Sequence, residues 1–383
     1  MTSIFSLMFA VCVFALIGLV PMTPAEECTV QNVAGVDTSS SFGYYNTSPE
    51  SPNGERIAYV CYKSGASVSG GFWPGELWVC DHDLANHRKV VDLAGFSPHN
   101  GAELCWIDNR RVALRDNVDT LRVIDVETGE DIIEPVHGLS GLGQNAWDGH
   151  VLYVNSYNRS QISGDPVGLY EVDTSDGATQ MIFRPADHQQ ELEAQFPPEL
   201  TSETLLPPSQ WVVLHAQYSP DGTRIVFRLD VGTKWKARLL CFYDRSTETV
   251  SIFPIKPLHF LWYDNDSIVG HDVVGGGLLK RWNIHTGSSE VVGIAGNHLA
   301  VSPDGSHFAS ETDYHSDPVD LRYFSYGAGD DEVEIVASHN FPNVTWSGEF
   351  HANPSFSRDG HRLYFHMPVD ENTNGIFCID LEQ

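Results

Sequence analysis

His215-Ala-Gln-Tyr-Ser-Pro-Asp-Gly-Thr-Arg-Ile225 reads as one strand, a tight turn and the start of a second strand. The Asp-Gly pair supplies the positive φ that such a turn needs. The residues beyond it, Arg-Ile-Val-Phe, have the β-branched and apolar character of a buried strand. The same phrase returns as His298-Leu-Ala-Val-Ser-Pro-Asp-Gly-Ser-His-Phe308, as Asn353-Pro-Ser-Phe-Ser-Arg-Asp-Gly-His-Arg-Leu363 and as Thr47-Ser-Pro-Glu-Ser-Pro-Asn-Gly-Glu-Arg-Ile57. Two copies run one residue shorter, from His259 to Ile268 and from Glu103 to Val112, and a weaker one runs from Leu142 to Leu152. The starts at 47, 103, 142, 215, 259, 298 and 353 are separated by 56, 39, 73, 44, 39 and 55 residues. Spacings of about 40–50 residues with about four strands each mark a β-propeller. The chain is therefore expected to be all-β, a seven-bladed β-propeller.

The longest gap holds a Pro-, Glu- and Gln-rich stretch, about 184–211, read as an inserted loop with a short helix at His188–Ala194. Ring closure could come from residues 28–33, pairing with the strand around Ile376–Leu381, and a disordered N-terminal tail is the equal alternative. Residues 1–25 carry no charge, are mostly apolar and end in Met-Thr-Pro-Ala, so they read as a signal peptide. An uncleaved anchor is the alternative. Residues 26–383 then form a single exported domain, secreted or periplasmic, without stable membrane association. The cysteines are too dispersed for a disulfide scaffold or a zinc knuckle. Cys61 and Cys80 fall on adjacent strands, where buried thiols are expected rather than a bridge. The net charge of −29 excludes nucleic acid as an electrostatic partner. An anionic ligand would need a local cationic patch or a metal.

The phrase starts converge on one rim of the central channel, because the innermost strands of all blades begin on one face. His215, His259 and His298 come from consecutive blades, and His351 precedes Asn353 by two residues, so both point the same way. Loops between second and third strands bring Arg228, Lys234, Lys236, His271, Tyr314, His315 and His366 to the same edge, and His99 reaches it from the loop before the second blade. Such an imidazole-rich rim suits metal binding or proton abstraction. Phe72 and Trp73, on a Gly-rich loop, are candidate stacking surfaces for a sugar. A Gly-x-Ser-x-Gly nucleophile motif is missing, which argues against a peptidase.

The blades containing His215-Ala-Gln-Tyr-Ser-Pro-Asp-Gly, His259-Phe-Leu-Trp, Asn297-His298-Leu and His351-Ala-Asn-Pro-Ser-Phe-Ser-Arg-Asp resemble those of oligogalacturonate lyases. These are seven-bladed propellers that cleave oligouronides by β-elimination. The resemblance spans roughly residues 40–380 and is most specific from 210 onward. It implies His215 as catalytic base and a manganese ion held by His259 together with a Gln-x-x-His-Pro-His motif. That motif here reads Gly348-Glu-Phe-His351-Ala-Asn353, so one histidine is kept and the glutamine and second histidine are lost. The altered ligand set implies a weak site or none, and a third imidazole from His298 would shift preference from manganese toward zinc. Arg228, Lys234 or Lys236 would then neutralise the substrate carboxylate. Ulvan lyases, propellers that use His and Tyr with an Arg against the carboxylate, are a second template, with Tyr314 as the candidate tyrosine. The expected activity is β-elimination of a uronic-acid-containing glycan. A TolB-like propeller that binds a protein or glycan without catalysis is the alternative.

Overall fold

The Ser-x-Asp-Gly phrase is a hydrogen-bonded knot that repeats. Ser219 Oγ donates to Asp221 Oδ1 at 2.7 Å, and the same oxygen accepts from the Thr223 amide at 3.0 Å. The Arg224 amide returns to Ser219 Oγ at 3.0 Å. Gly222 takes φ +68 between them. The knot recurs around Ser302 and Asp304, around Ser357 and Asp359, and around Ser51 with Asn53 in the aspartate's place. Each knot ties the first strand of a blade to the second. It also reaches sideways, since the Asp221 amide donates to Asn265 Oδ1 on the next blade's turn and the Asn53 amide to Asn109 Oδ1.

A computed structural model describes residues 30–35, 39–62, 72–97, 103–156, 164–198, 200, 205–232, 237–253, 257–272, 277–312, 316, 318–339, 351–369 and 373–381. They form seven four-stranded antiparallel sheets, a seven-bladed β-propeller. The innermost strands are Ser39–Ser41, Cys105–Trp106, Gly141–Trp147, Val212–Tyr218, Pro257–Asp264, Leu299–Val301 and Ser355–Phe356 in blades 1 to 7. The α-helix among the described residues is Gln189–Glu193, with His188 and Ala194 as its caps, inside the expected insertion. The ring closes through Gln31–Asn32, which pairs antiparallel with Phe377 and Cys378 as the outer strand of blade 7. Cys61, Cys80 and Cys378 are buried free thiols, while Cys28 and residues 1–25 lie outside the described residues.

Blade faces pack on one another through apolar clusters. Val226, Leu240 and Phe242 of blade 4 meet Phe260, Trp262 and Ile268 of blade 5. Across the closing seam, Ile57 and Tyr59 of blade 1 meet Tyr364, Ile376 and Cys378 of blade 7. At about 25 cal/mol per Å² of apolar surface removed from water, these seams are the main stabilising term of the ring.

Blade 1 departs from the sequence reading. Its innermost strand is Ser39–Ser41, not the stretch beginning at Thr47. Ser41 pairs with Val60, and the next contacts are the Ala58 amide donating to the Pro49 carbonyl at 2.8 Å and the Glu50–Ile57 bridge, so residues 42–48 bulge out of the ladder. Blades 4 and 5 carry a smaller irregularity at the corresponding place, between Leu214 and Gln217 and between Leu258 and Leu261. The large bulge of blade 1 carries Tyr44 and Tyr45 into the channel, while Thr47 is buried and donates its hydroxyl to the Tyr44 carbonyl at 2.5 Å. A belt of amides lies beneath the tyrosines. Gln144 Nε2 donates to the Tyr45 carbonyl, Gln217 Nε2 to Gln144 Oε1, and Asn46 Nδ2 to Gln217 Oε1. Gln144 and Asn46 also line a funnel of about 590 Å³ at the opposite mouth, with Trp106, Trp262 and Arg358.

Candidate active site at the channel mouth

Four phrase-start residues, Glu103, His215, His259 and Asn353, have φ of +45°, +55°, +51° and +41°. A side chain with a Cβ rarely adopts this left-handed region, at a cost of about 1–2 kcal/mol, and residues held there gather at functional sites. In His215 and His259 the left-handed residue coincides with the bulge of the inner strand, which turns the imidazole toward the channel mouth.

The structure brings the rim histidines together. Ring centroids are 3.9 Å apart for His259 and His298, and 4.3 Å for His298 and His351. His215 stacks on Tyr44 with centroids 5.6 Å apart and lies 5.5 Å from Tyr45. The Tyr44 hydroxyl is 3.4 Å from His259 Nε2 and 3.3 Å from His298 Nε2. Arg228 Nη1 lies 3.4 Å from His215 Nε2. A guanidinium only donates, so Nε2 is the unprotonated nitrogen of a neutral imidazole. Arg228 is anchored from behind by Asp230, with Nη2 donating at 3.2 Å.

Glu311 is the residue that sequence reading missed. It ends the second strand of blade 6, His307–Glu311, and is 1% exposed. Its Oε1 accepts a short hydrogen bond from His298 Nδ1 and lies 3.4 Å from His351 Nδ1. Its Oε2 accepts from the Ala352 amide. Burial pushes the carboxyl's pKa up, but His298 and His351 outweigh it and hold it well below the usual carboxylate range. Burial drives His298 down despite the pull of Glu311, and burial followed by the neighbouring imidazoles drives His259 well below its ordinary value. At neutral pH Glu311 is thus a carboxylate beside the neutral imidazoles of His298 and His259. A pattern could have revealed Glu311. The fifth residue of a second strand is Arg115, Arg228, His271, Glu311 and His366 in blades 2, 4, 5, 6 and 7, and all five are polar.

His271 and His366, expected at the edge, are instead buried braces. His366 Nδ1 donates to the His351 carbonyl at 3.2 Å, and its Nε2 accepts from the Phe42 amide at 3.1 Å. His271 Nδ1 donates to the Gly277 carbonyl at 3.1 Å, and its Nε2 meets Ser310 Oγ at 3.2 Å. Burial pushes both down to about 4. Trp73 is also corrected. It is 8% exposed and packs on Tyr62, so its face is part of the core and not a sugar platform. His99, Lys234, Lys236 and Tyr314, with Gly348 and Glu349 of the interrupted motif, lie outside the described residues. The tyrosines seen in the site are Tyr44 and Tyr45, which the sequence reading passed over because their segment follows no repeat.

His298, Glu311 and His351 offer ligand atoms within 4.8 Å of one another. His259 Nδ1 and Asn353 Oδ1 are buried nearby without a hydrogen-bond partner. Two imidazoles and a carboxylate are a donor set that fits a divalent cation.

Among solved structures, an oligogalacturonate lyase in complex with manganese aligns with a TM-score of 0.63 and 13% identity, over 93% of this chain and 94% of its own. An oligogalacturonate lyase from Vibrio parahaemolyticus aligns at 0.61 and 14% identity, over 94% and 95%. The fold is that of the oligogalacturonate lyases. A chain from a crystal structure of the mitotic checkpoint complex aligns at 0.55 and 10% identity, over 98% and 99%. No known family profile matches the chain, and no curated protein matches its sequence. At these identities the likeness is one of fold, and a propeller fold hosts unrelated functions. The choice among them rests on the chemistry of the site.

Proposed function

We propose that the protein is an exported lyase that cleaves a uronic-acid-containing glycan by β-elimination. The observation that carries this reading is the pairing of a neutral His215, its Nε2 lone pair facing outward to Arg228, with a cluster of imidazoles and a carboxylate beside it. A 4-linked uronate has an acidic proton at C5, next to its carboxylate. A guanidinium against that carboxylate stabilises the developing enolate. In the free protein Arg228 occupies the His215 lone pair. A substrate carboxylate that draws Arg228 to itself exposes Nε2 to the C5 proton, so binding and base activation are one event. Tyr44, stacked on His215, is the tyrosine this reading assigns as proton donor to the departing C4 oxygen. A divalent cation held by His298, Glu311 and His351 would supply further positive charge against the carboxylate.

The test is incubation with a panel of uronate polymers, following the unsaturated product by its ultraviolet absorbance. His215→Ala is expected to lower turnover by about 10²- to 10⁴-fold with unchanged circular dichroism, the usual range for a general base. Full activity in that variant would remove His215 from the mechanism. Glycan binding without any turnover by the parent chain would favour a non-catalytic, TolB-like propeller.

A further inference from the structure

The ligand motif expected near the C-terminus is interrupted, yet the site still gathers a ligand set. The geometry points to a cation centre supplied mainly by blade 6, in which His298 and Glu311 are ligands together with His351, the histidine kept from the motif. This deepens the lyase reading, since it names the centre that would neutralise a substrate carboxylate, but it stands on separate observations.

Glu311 Oε1 is approached by the Nδ1 atoms of two imidazoles at once, from His298 and, at 3.4 Å, from His351. The three ligand atoms lie within 4.8 Å of one another, close enough for one cation to be shared among them. The carboxylate is already aimed, because its second oxygen is fixed by the Ala352 amide. The His351 backbone is fixed in turn by His366. Such outer contacts are what orient metal ligands. His298 and Glu311 both belong to blade 6, one at its phrase start and one at the end of its second strand, so a single sheet supplies two ligands at a fixed spacing. The blade pairs Leu299 with Ser310, which places the residues flanking this pair, His298 and Glu311, side by side across the ladder.

The chemistry of the set predicts the ion. Replacing amide or imidazole ligands by a carboxylate removes one unit of net positive charge from the loaded centre. Two imidazoles with one carboxylate form the ligand set of catalytic zinc sites that keep a position open. A fourth donor stands ready at His259 Nδ1, which is buried and has no hydrogen-bond partner. Zinc is therefore expected to bind more tightly than manganese, in the order that N-rich sites follow.

Isothermal titration with zinc and with manganese chloride, on full-length protein stripped with chelator, reads the inference directly. The expected result is one zinc per chain, bound at least 10-fold more tightly than manganese. Glu311→Gln should weaken zinc by more than the ~10–100-fold that loss of an outer contact costs. Should that variant misfold, anomalous scattering from a zinc-soaked crystal of the parent chain decides the same point. A zinc peak bonded to Glu311, His298 and His351 supports the assignment. An ion held by Asn353 without Glu311, or no stoichiometric ion, overturns it. Lyase activity that survives complete metal removal overturns this centre and leaves the lyase reading intact. Tight zinc binding without turnover on any uronate does the reverse.

Discussion

His215 and His259 are bent into the left-handed region at bulges of their strands, and the bend aims each ring at the channel mouth. Most other histidines near the mouth are committed to holding the site. His271 and His366 are buried neutral with pKa values pushed down to about 4 from an ordinary 6.5. This sets the sign of the pH dependence. Between those values the unfolded chain binds protons at these two residues and the folded chain does not. Stability is therefore retained above about pH 6.5 and falls as pH drops toward 4, by up to about 1.4 kcal/mol per pH unit for each histidine. Urea unfolding at pH 7, 5.5 and 4.5 measures this. A flat profile over that window would show that the two rings are protonated in the folded state. The convergence of His215, His259, His298 and His351 was legible in the sequence because each sits at a fixed place in the repeat. Glu311 was not, because it sits on a second strand whose residues alternate between core and channel without a phrase to mark them.

At the scale of the element, the Ser-x-Asp-Gly knot explains both the success and the weak point of the sequence reading. Wherever serine, aspartate and glycine are all present the turn is closed by side chains, and the blade could be counted. The third copy lacks the serine and the proline, and Trp147 stands in their region. Its ring packs against the turn of blade 4, so closely that a Cβ on Gly222 would lie 1.9 Å from Trp147 Cε2. Gly222 is also in the left-handed region. Gly222→Ala therefore meets both a backbone and a packing penalty. It is expected to destabilise by about 2–4 kcal/mol, combining the left-handed cost with that of overpacking. Chemical denaturation checks this, and a change under 0.5 kcal/mol, roughly that of an ordinary surface substitution, would mean that Trp147 yields freely. The bulge of blade 1 was illegible for a different reason. Its residues 42–48 pair with nothing in the second strand, so no period records them, yet they deliver Tyr44 to the site.

For the whole molecule, the strand that closes the ring is short: two paired residues, Gln31 and Asn32, and the Val33 amide donating to the Ile376 carbonyl at 2.8 Å. Val33 is 1% exposed, packed in the seam between blades 1 and 7. A chain beginning at residue 36 loses this burial, worth about 2 kcal/mol, and bares the edge of strand Asn374–Asp380. Its melting temperature is expected to fall by about 5 °C relative to a chain beginning at residue 26. Equal melting temperatures would show that the seam holds without its fastener. From sequence the closure stood level with an unpaired tail, because the last blade lacked a strand but the early segment carries no repeat phrase; the pairing of Gln31 and Asn32 decides it.

The amide belt and the two tyrosines have a consequence for traffic. The propeller axis is stoppered between the histidine rim and the 590 Å³ funnel beyond it. On the lyase reading, a glycan at the rim would not be threaded through the ring, and the piece released by cleavage would back out by the door through which its parent came. Arrival and departure share one vestibule, so a lingering product is also a gatekeeper against the next chain.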